Sequence, residues 1–173
     1  MVGKKVFLYK IGDWIVHYYH GVGQVKDIVE RGLAAQQDTF FRVATTEIEY
    51  WIPVDQADSD HIKPLRSVQE FEQALQIMAQ SPTPMTETQN RNRRNIYERW
   101  LDGSLPARAA LIRDLHGRDY RKELSYDDKN IYQKVLTYFI DEWIITNPGL
   151  SRSKASERLR EALATSVRHD KVD

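Results

Sequence analysis

Cysteine is absent from the 173 residues, which excludes disulfides and thiolate metal sites and is compatible with a reducing compartment. No apolar run reaches the ~18 residues of a membrane span, and the first residues lack the apolar stretch of a signal peptide. A soluble cytoplasmic protein with no membrane partner is expected. Net charge is missing as well: 25 Lys and Arg balance 25 Asp and Glu, so the whole molecule favours no partner electrostatically. Catalytic constellations are also wanting. No serine sits in a nucleophile motif, and Gly21-Val22-Gly23 is too short to cradle a phosphate. His17 and His20 are three apart, a spacing that sends them to opposite faces of a strand, and no Asp or Glu completes a ligand set. Asp127 and Asp128 are explained by helix capping and the helix dipole. The expectation is a binding protein rather than an enzyme, with no catalytic residue, cofactor or metal.

Charge that cancels over the chain does not cancel locally. Residues 1–85 carry 8 Lys/Arg against 11 Asp/Glu, residues 86–134 carry 11 against 8, and residues 135–173 balance at 6 and 6. The positive field therefore belongs to the second part of the chain. It is densest in "MTETQNRNRRNIYERW" (85–100), where Arg91, Arg93, Arg94 and Arg99 alternate with amides. A solvated helix face and a helix end that touches phosphates both fit that stretch.

Periodicity divides the chain in two. The first ~55 residues read as five short strands, "VFLY", "IGDWIVHYY", "HGVGQVKDIVE", "TFFRVATT" and "IEYWIPV", rich in β-branched and aromatic residues. Gly21 and Gly23 bracket a tight turn or bulge. Five such strands in so little chain predict a small, strongly bent barrel. In the last strand Ile48, Tyr50, Ile52 and Val54 point one way while Glu49 and Trp51 point the other. Trp51 is then displayed outward beside a carboxylate, either as a docking aromatic or as cover for the barrel or the other domain.

Beyond Pro53 the period turns helical. Ser67 and Glu70 form a capping box ahead of Val68, Phe71, Leu75 and Met78, and "SPTPMT" (81–86) reads as a stiff linker. Thr88, Ser104, Ser125 and Ser151 then cap four further helices; Asp102-Gly103 ends the first, and Gly117 stops or kinks the second. The third carries Ile131, Val135, Phe139 and Trp143. The overall expectation is α+β, with a barrel at 1–66, a connecting helix and Pro-rich linker at 67–86, and a helical domain at 87–173.

Four pieces, in order and at the right spacing, resemble the CarD/CdnL family of bacterial RNA-polymerase-binding transcription regulators. They are "IGDWIVHYYHGVGQV", "YWIPVDQ", "ERWLDGS" and "LIRDLHGRDYRKELSYDDKNIYQKVL". The resemblance spans roughly residues 7–165. It implies a Tudor-like (SH3-like) barrel that docks on the RNA polymerase β subunit, partly by strand-edge pairing. It further implies a helical domain that touches promoter double-stranded DNA at the upstream edge of the melted bubble. On the polymerase side the matching positions are Arg31 and Trp51, with Glu49 beside it; Trp51 replaces a frequent arginine, removing a charged fork. On the DNA side they are Gln89, Asn90, Arg91, Arg94, Arg118 and Lys129. Gln89 stands where the family usually has a tryptophan wedge, and a glutamine can hydrogen-bond groove edges but not stack. Losing a stacked base contact costs about 1–3 kcal/mol, roughly five- to a hundred-fold in bubble stabilisation. The expected protein is a monomeric regulator that modulates open-complex stability. The alternative is a polymerase-docking adaptor whose helical domain binds another protein.

Overall fold

The computed structural model describes residues 7–32, 38–85 and 89–169. The chain forms two compact units that meet in sequence at Leu65 and Arg66, the first a β unit and the second helical.

Among the described residues the first unit has five strands, β1 (Trp14–His17), β2 (Gly21–Arg31), β3 (Asp38–Ala44), β4 (Glu49–Pro53) and β5 (Ile62–Pro64). They make one antiparallel sheet in the order β4-β3-β2-β1-β5. One of the expected strands needs correction, and one observed strand was not expected. The described part of "VFLY" is not a strand; Phe7 and Tyr9 instead turn edge-on to the buried Phe41 ring, each at 6.0 Å. The fifth strand is Ile62-Lys63-Pro64, three residues too short to show a period, and its proline is tolerated because β5 is an edge.

One extra residue in β2 sets which side chains reach the core. Val25 pairs with Val43 and Asp27 with Arg42, so Lys26 is a bulge. The bulge shifts the alternation by one, and Val25 and Ile28 both join Ile15, Phe41, Val43 and Ile52 inside. Gly21 opens β2 at φ +77°. At Gly23 an added Cβ would lie 2.7 Å from Val43 Cγ1, so this glycine serves close strand approach, and the bulge follows three residues later.

The second unit contains α1 (Val68–Met78), α2 (Gln89–Asp102), α3 (Leu105–Arg121), α4 (Tyr126–Thr146) and α5 (Arg152–His169). Ser67 and Glu70 complete the capping box, and Ser104, Ser125 and Ser151 each accept a backbone N–H of the first turn they precede. Thr88 lies outside the described residues. Phe71 of α1 stacks on Trp143 of α4 at 5.9 Å and meets Phe139 edge-on at 5.1 Å. Each such ring contributes about 2–3 kcal/mol by leaving water. Leu111, Ile112, Leu115, Leu159 and Leu163 close the same core, so α5 is a member of the bundle.

Helix α1 is thus no connector: it packs into the helical unit. The proline-rich stretch after it is fastened too. Pro82 is buried against Gly117, where an added Cβ would lie 2.4 Å from Pro82 Cγ. Thr83 N–H donates to Asp114 Oδ1 at 2.8 Å, and Arg113 donates to Thr83 Oγ1 at 3.0 Å. Gly117 does not stop α3, which runs on to Arg121; its missing side chain makes room for Pro82. A second polar cluster is centred on Glu142, 0 % exposed. Its carboxylate accepts from Arg66 N–H at 3.1 Å, Arg66 Nη1 at 3.0 Å and Arg108 Nη1 at 3.2 Å. Burial pushes the Arg108 pKa down, and Glu142 opposes that by favouring the cation.

Candidate functional site

The outward face of the sheet collects the polymerase-side residues expected from sequence. Arg42 of β3 stands opposite Trp51 of the edge strand β4. Phe41 and Ile52, their neighbours, are buried, so Arg42 and Trp51 point away from the core. Trp51 is 40 % exposed. Ile48, placed with the inward set by alternation, precedes β4 and is itself exposed. Arg31, the last residue of β2, reaches across to Trp51 and lies 4.5 Å above its ring centre, within the range of a cation–π contact. Arg42 Nη1 donates to Glu49 Oε1 at 2.9 Å. Arg31, Glu49 and Trp51 therefore share one surface, to which Arg42 is an addition. Its sequence signal was the alternation of β3, where Phe41 and Val43 face in and Arg42 must face out.

This face can accept a protein edge in two ways. Among the described residues β4 has no strand partner on its far side, which leaves backbone groups available to another chain. Trp51 supplies a rigid apolar plate whose cation is already present in Arg31.

His17 and His20 fall elsewhere, and not on opposite faces. β1 ends at His17, and residues 18–20 form a turn in which Tyr19 N–H and His20 N–H donate to His17 Nδ1 at 3.1 and 3.3 Å. The two imidazoles lie 4.6 Å apart. Burial, then His20 and His61, push the His17 pKa down to about 4. Among the described residues no three His, Asp or Glu side chains are arranged to hold a metal ion.

The DNA-side residues lie on the helical unit. Gln89, Asn90 and Arg91 occupy the first turn of α2; their side chains lie outside the described residues. Arg94 is exposed and donates to Glu98 at 2.8 Å, a hydrogen bond that raises its pKa. Lys129, in the first turn of α4, pairs with Glu123, and that hydrogen bond raises its pKa. Arg118 is in the last turn of α3. Arg93, absent from the expected set, donates to Asp127 Oδ2 at 2.7 Å and so joins the start of α2 to the start of α4. Cations from α2 and α4 thus lie near one end of the unit, interleaved with carboxylates. Exposed pairs of this kind are held weakly because water screens them, so a phosphate can exchange for the carboxylate partner.

Trp100 is no outward aromatic. It packs partly against the core and meets Tyr138 edge-on at 6.1 Å, with Lys134 Nζ 5.5 Å from its ring centre.

Comparison with protein families matches both units. Residues 9–66 match the CarD-like/TRCF RID domain, and residues 73–160 match the CarD C-terminal domain. The chain belongs to the CarD family. Its first unit is accordingly a Tudor-like RNA-polymerase-interacting module, of a kind that implies contact with the β subunit. CarD-like domains mark a family of non-enzymatic transcription regulators that interact with RNA polymerase. Among the described residues no helix is long and apolar enough to cross a membrane.

Proposed function

We propose that this CarD-family protein docks on the polymerase β subunit through the outer face of β4 and holds promoter DNA near the upstream edge of the bubble through its helical unit. Arg31, Trp51 and Glu49 form the first contact; Gln89, Asn90, Arg91, Arg94, Arg118 and Lys129 form the second. The observation that carries the reading is the stacking of Arg31 on the outward Trp51, beside an edge strand of the polymerase-interacting module. The protein changes open-complex stability only as far as it binds open and closed promoter DNA unequally. A pull-down with the β-subunit lobe tests the docking. Wild type should be retained, Arg31→Glu and Trp51→Ala should be lost, and equal retention of all three would remove the proposal.

One observation favours a second reading for the helical unit. Arg93, Arg94 and Lys129 each already hold a carboxylate, and Tyr97, Tyr120 and Tyr126 on α2, α3 and α4 are exposed, features that also suit a protein partner. Salt titration of promoter-complex binding separates the two. Phosphate contacts give a steep fall with salt that Arg91→Glu reduces, and a protein contact gives a flat response.

A further inference from the structure

The turn at residues 18–20 builds more than a hairpin. It lays His20 on His17 at 4.6 Å and against Tyr50 of β4 at 4.4 Å. Tyr18 stacks on His17 at 5.1 Å and lies tilted against His61 at 4.6 Å. Five rings from three separate stretches of chain thus form one wall. Four of them, His17, His20, Tyr50 and His61, line a solvent-open cavity of about 470 Å³ whose lining also includes Trp51, Asp55 and Asp58.

The charge around this cavity is one-sided. Among the described residues no Lys or Arg lines it. Glu49 and Asp60 on the same unit hold Arg42 and Lys63, whereas Asp55 and Asp58 are in no ion pair among the described residues. An adjoining cavity of about 460 Å³ shares Asp55 and adds Asp38. The His17 imidazole is neutral near pH 7, so its ring offers a π face without a repelling charge. A neutral apolar guest would strip water from the two carboxylates with nothing to replace it, and an anion would be repelled. A cation with a flat face satisfies both halves. Guanidinium stacks on aromatic planes and forks onto carboxylates, while an ammonium is a hydrated point charge.

We propose that the cavity between the His17–His20–Tyr50 wall and Asp55/Asp58 is a receptor for an arginine side chain of a protein partner. The identification of that partner with the polymerase rests on the docking reading above, because Trp51 belongs to both the docking face and the cavity lining. Arg31 covers Trp51 but does not line the cavity, so host and guest cations occupy different places.

The test titrates the full chain with N-acetyl-arginine amide, using N-acetyl-citrulline amide as the uncharged control of the same shape. NMR signals of His20, Tyr50 and Trp51 report binding. Saturable shifts with the arginine compound, at least fivefold tighter than with citrulline, are expected. The Asp55→Asn, Asp58→Asn double variant should lose them without a change in melting temperature, since both carboxylates are exposed. It should also bind the β-subunit lobe about tenfold more weakly. Equal response to the two compounds, or full arginine binding by the double variant, overturns the receptor. A wild-type chain that ignores the lobe yet still saturates with the arginine compound keeps the receptor and removes the polymerase as its partner.

Discussion

At the scale of single residues, Trp51 and His17 carry opposite kinds of information. Trp51 is exposed and adds little to folding, because its ring gives up only part of its hydration. Trp51→Ala should leave the melting temperature within about 2 °C, consistent with a change below ~0.5 kcal/mol. The same substitution should weaken binding to the β-subunit lobe at least tenfold, as removal of an aromatic anchor does. His17 is a stability residue. Its folded pKa of about 4 lies below the ordinary 6.5, so the unfolded chain takes up the proton first. Stability present above pH 6.5 is lost as pH falls through 4, by an amount on the order of 1–2 kcal/mol for a half-buried ring. Melting curves between pH 7 and pH 4 should fall along that window, and His17→Gln should flatten them. The outward position of Trp51 was legible because β4 alternates strictly. The meeting of His17 with His20 was not, since strand spacing predicts opposite faces and only the turn reverses it.

At the scale of elements, the fastened strap at residues 82–83 makes the sharpest prediction. Gly117→Ala would force a methyl group into Pro82, a clash in a filled site that should cost about 1–3 kcal/mol in urea unfolding. Wild-type stability on that substitution would show that the strap is loose. Helix α4 supplies a second case. Glu142 holds two arginines away from water, and Glu142→Gln leaves their charges facing each other. A loss of about 3–5 kcal/mol is expected. The elements themselves read well where caps and periods were long: Ser67 with Glu70, Ser104 and Ser125 all begin helices. The prolines at 82 and 84 misled because composition reports stiffness, and whether a stiff segment hangs free depends on contacts far away in sequence, here Asp114 and Gly117. The three-residue β5 and the plug formed by Phe7 and Tyr9 failed for a related reason, being held by neighbours rather than by any pattern of their own.

At the scale of the whole molecule, a zero net charge hides an uneven one. If the helical unit contacts phosphates, the logarithm of promoter affinity should fall linearly with that of salt, and Arg94→Glu should lower the slope by about 1. Arg93→Glu would break the link between α2 and α4, whereas the pair lost in Arg94→Glu lies within α2, so it should reduce affinity by more than Arg94→Glu. An unchanged slope in both variants would assign this end of the unit to a protein. The division into a sheet half and a helical half could be read from the change of period near Pro53. Its boundary could not, because α1 carries its own apolar face and only packing reveals which half receives it.

The ring of Trp51 under Arg31 has one more consequence, for how two grips on one transcription complex respond to ions. If the docking proposed above is made through this plate, part of its hold comes from desolvation, which added electrolyte hardly weakens. A grip on phosphates loosens steeply under the same treatment. If both proposed grips exist, rising ionic strength should detach this protein from the promoter first, leaving it riding on the enzyme.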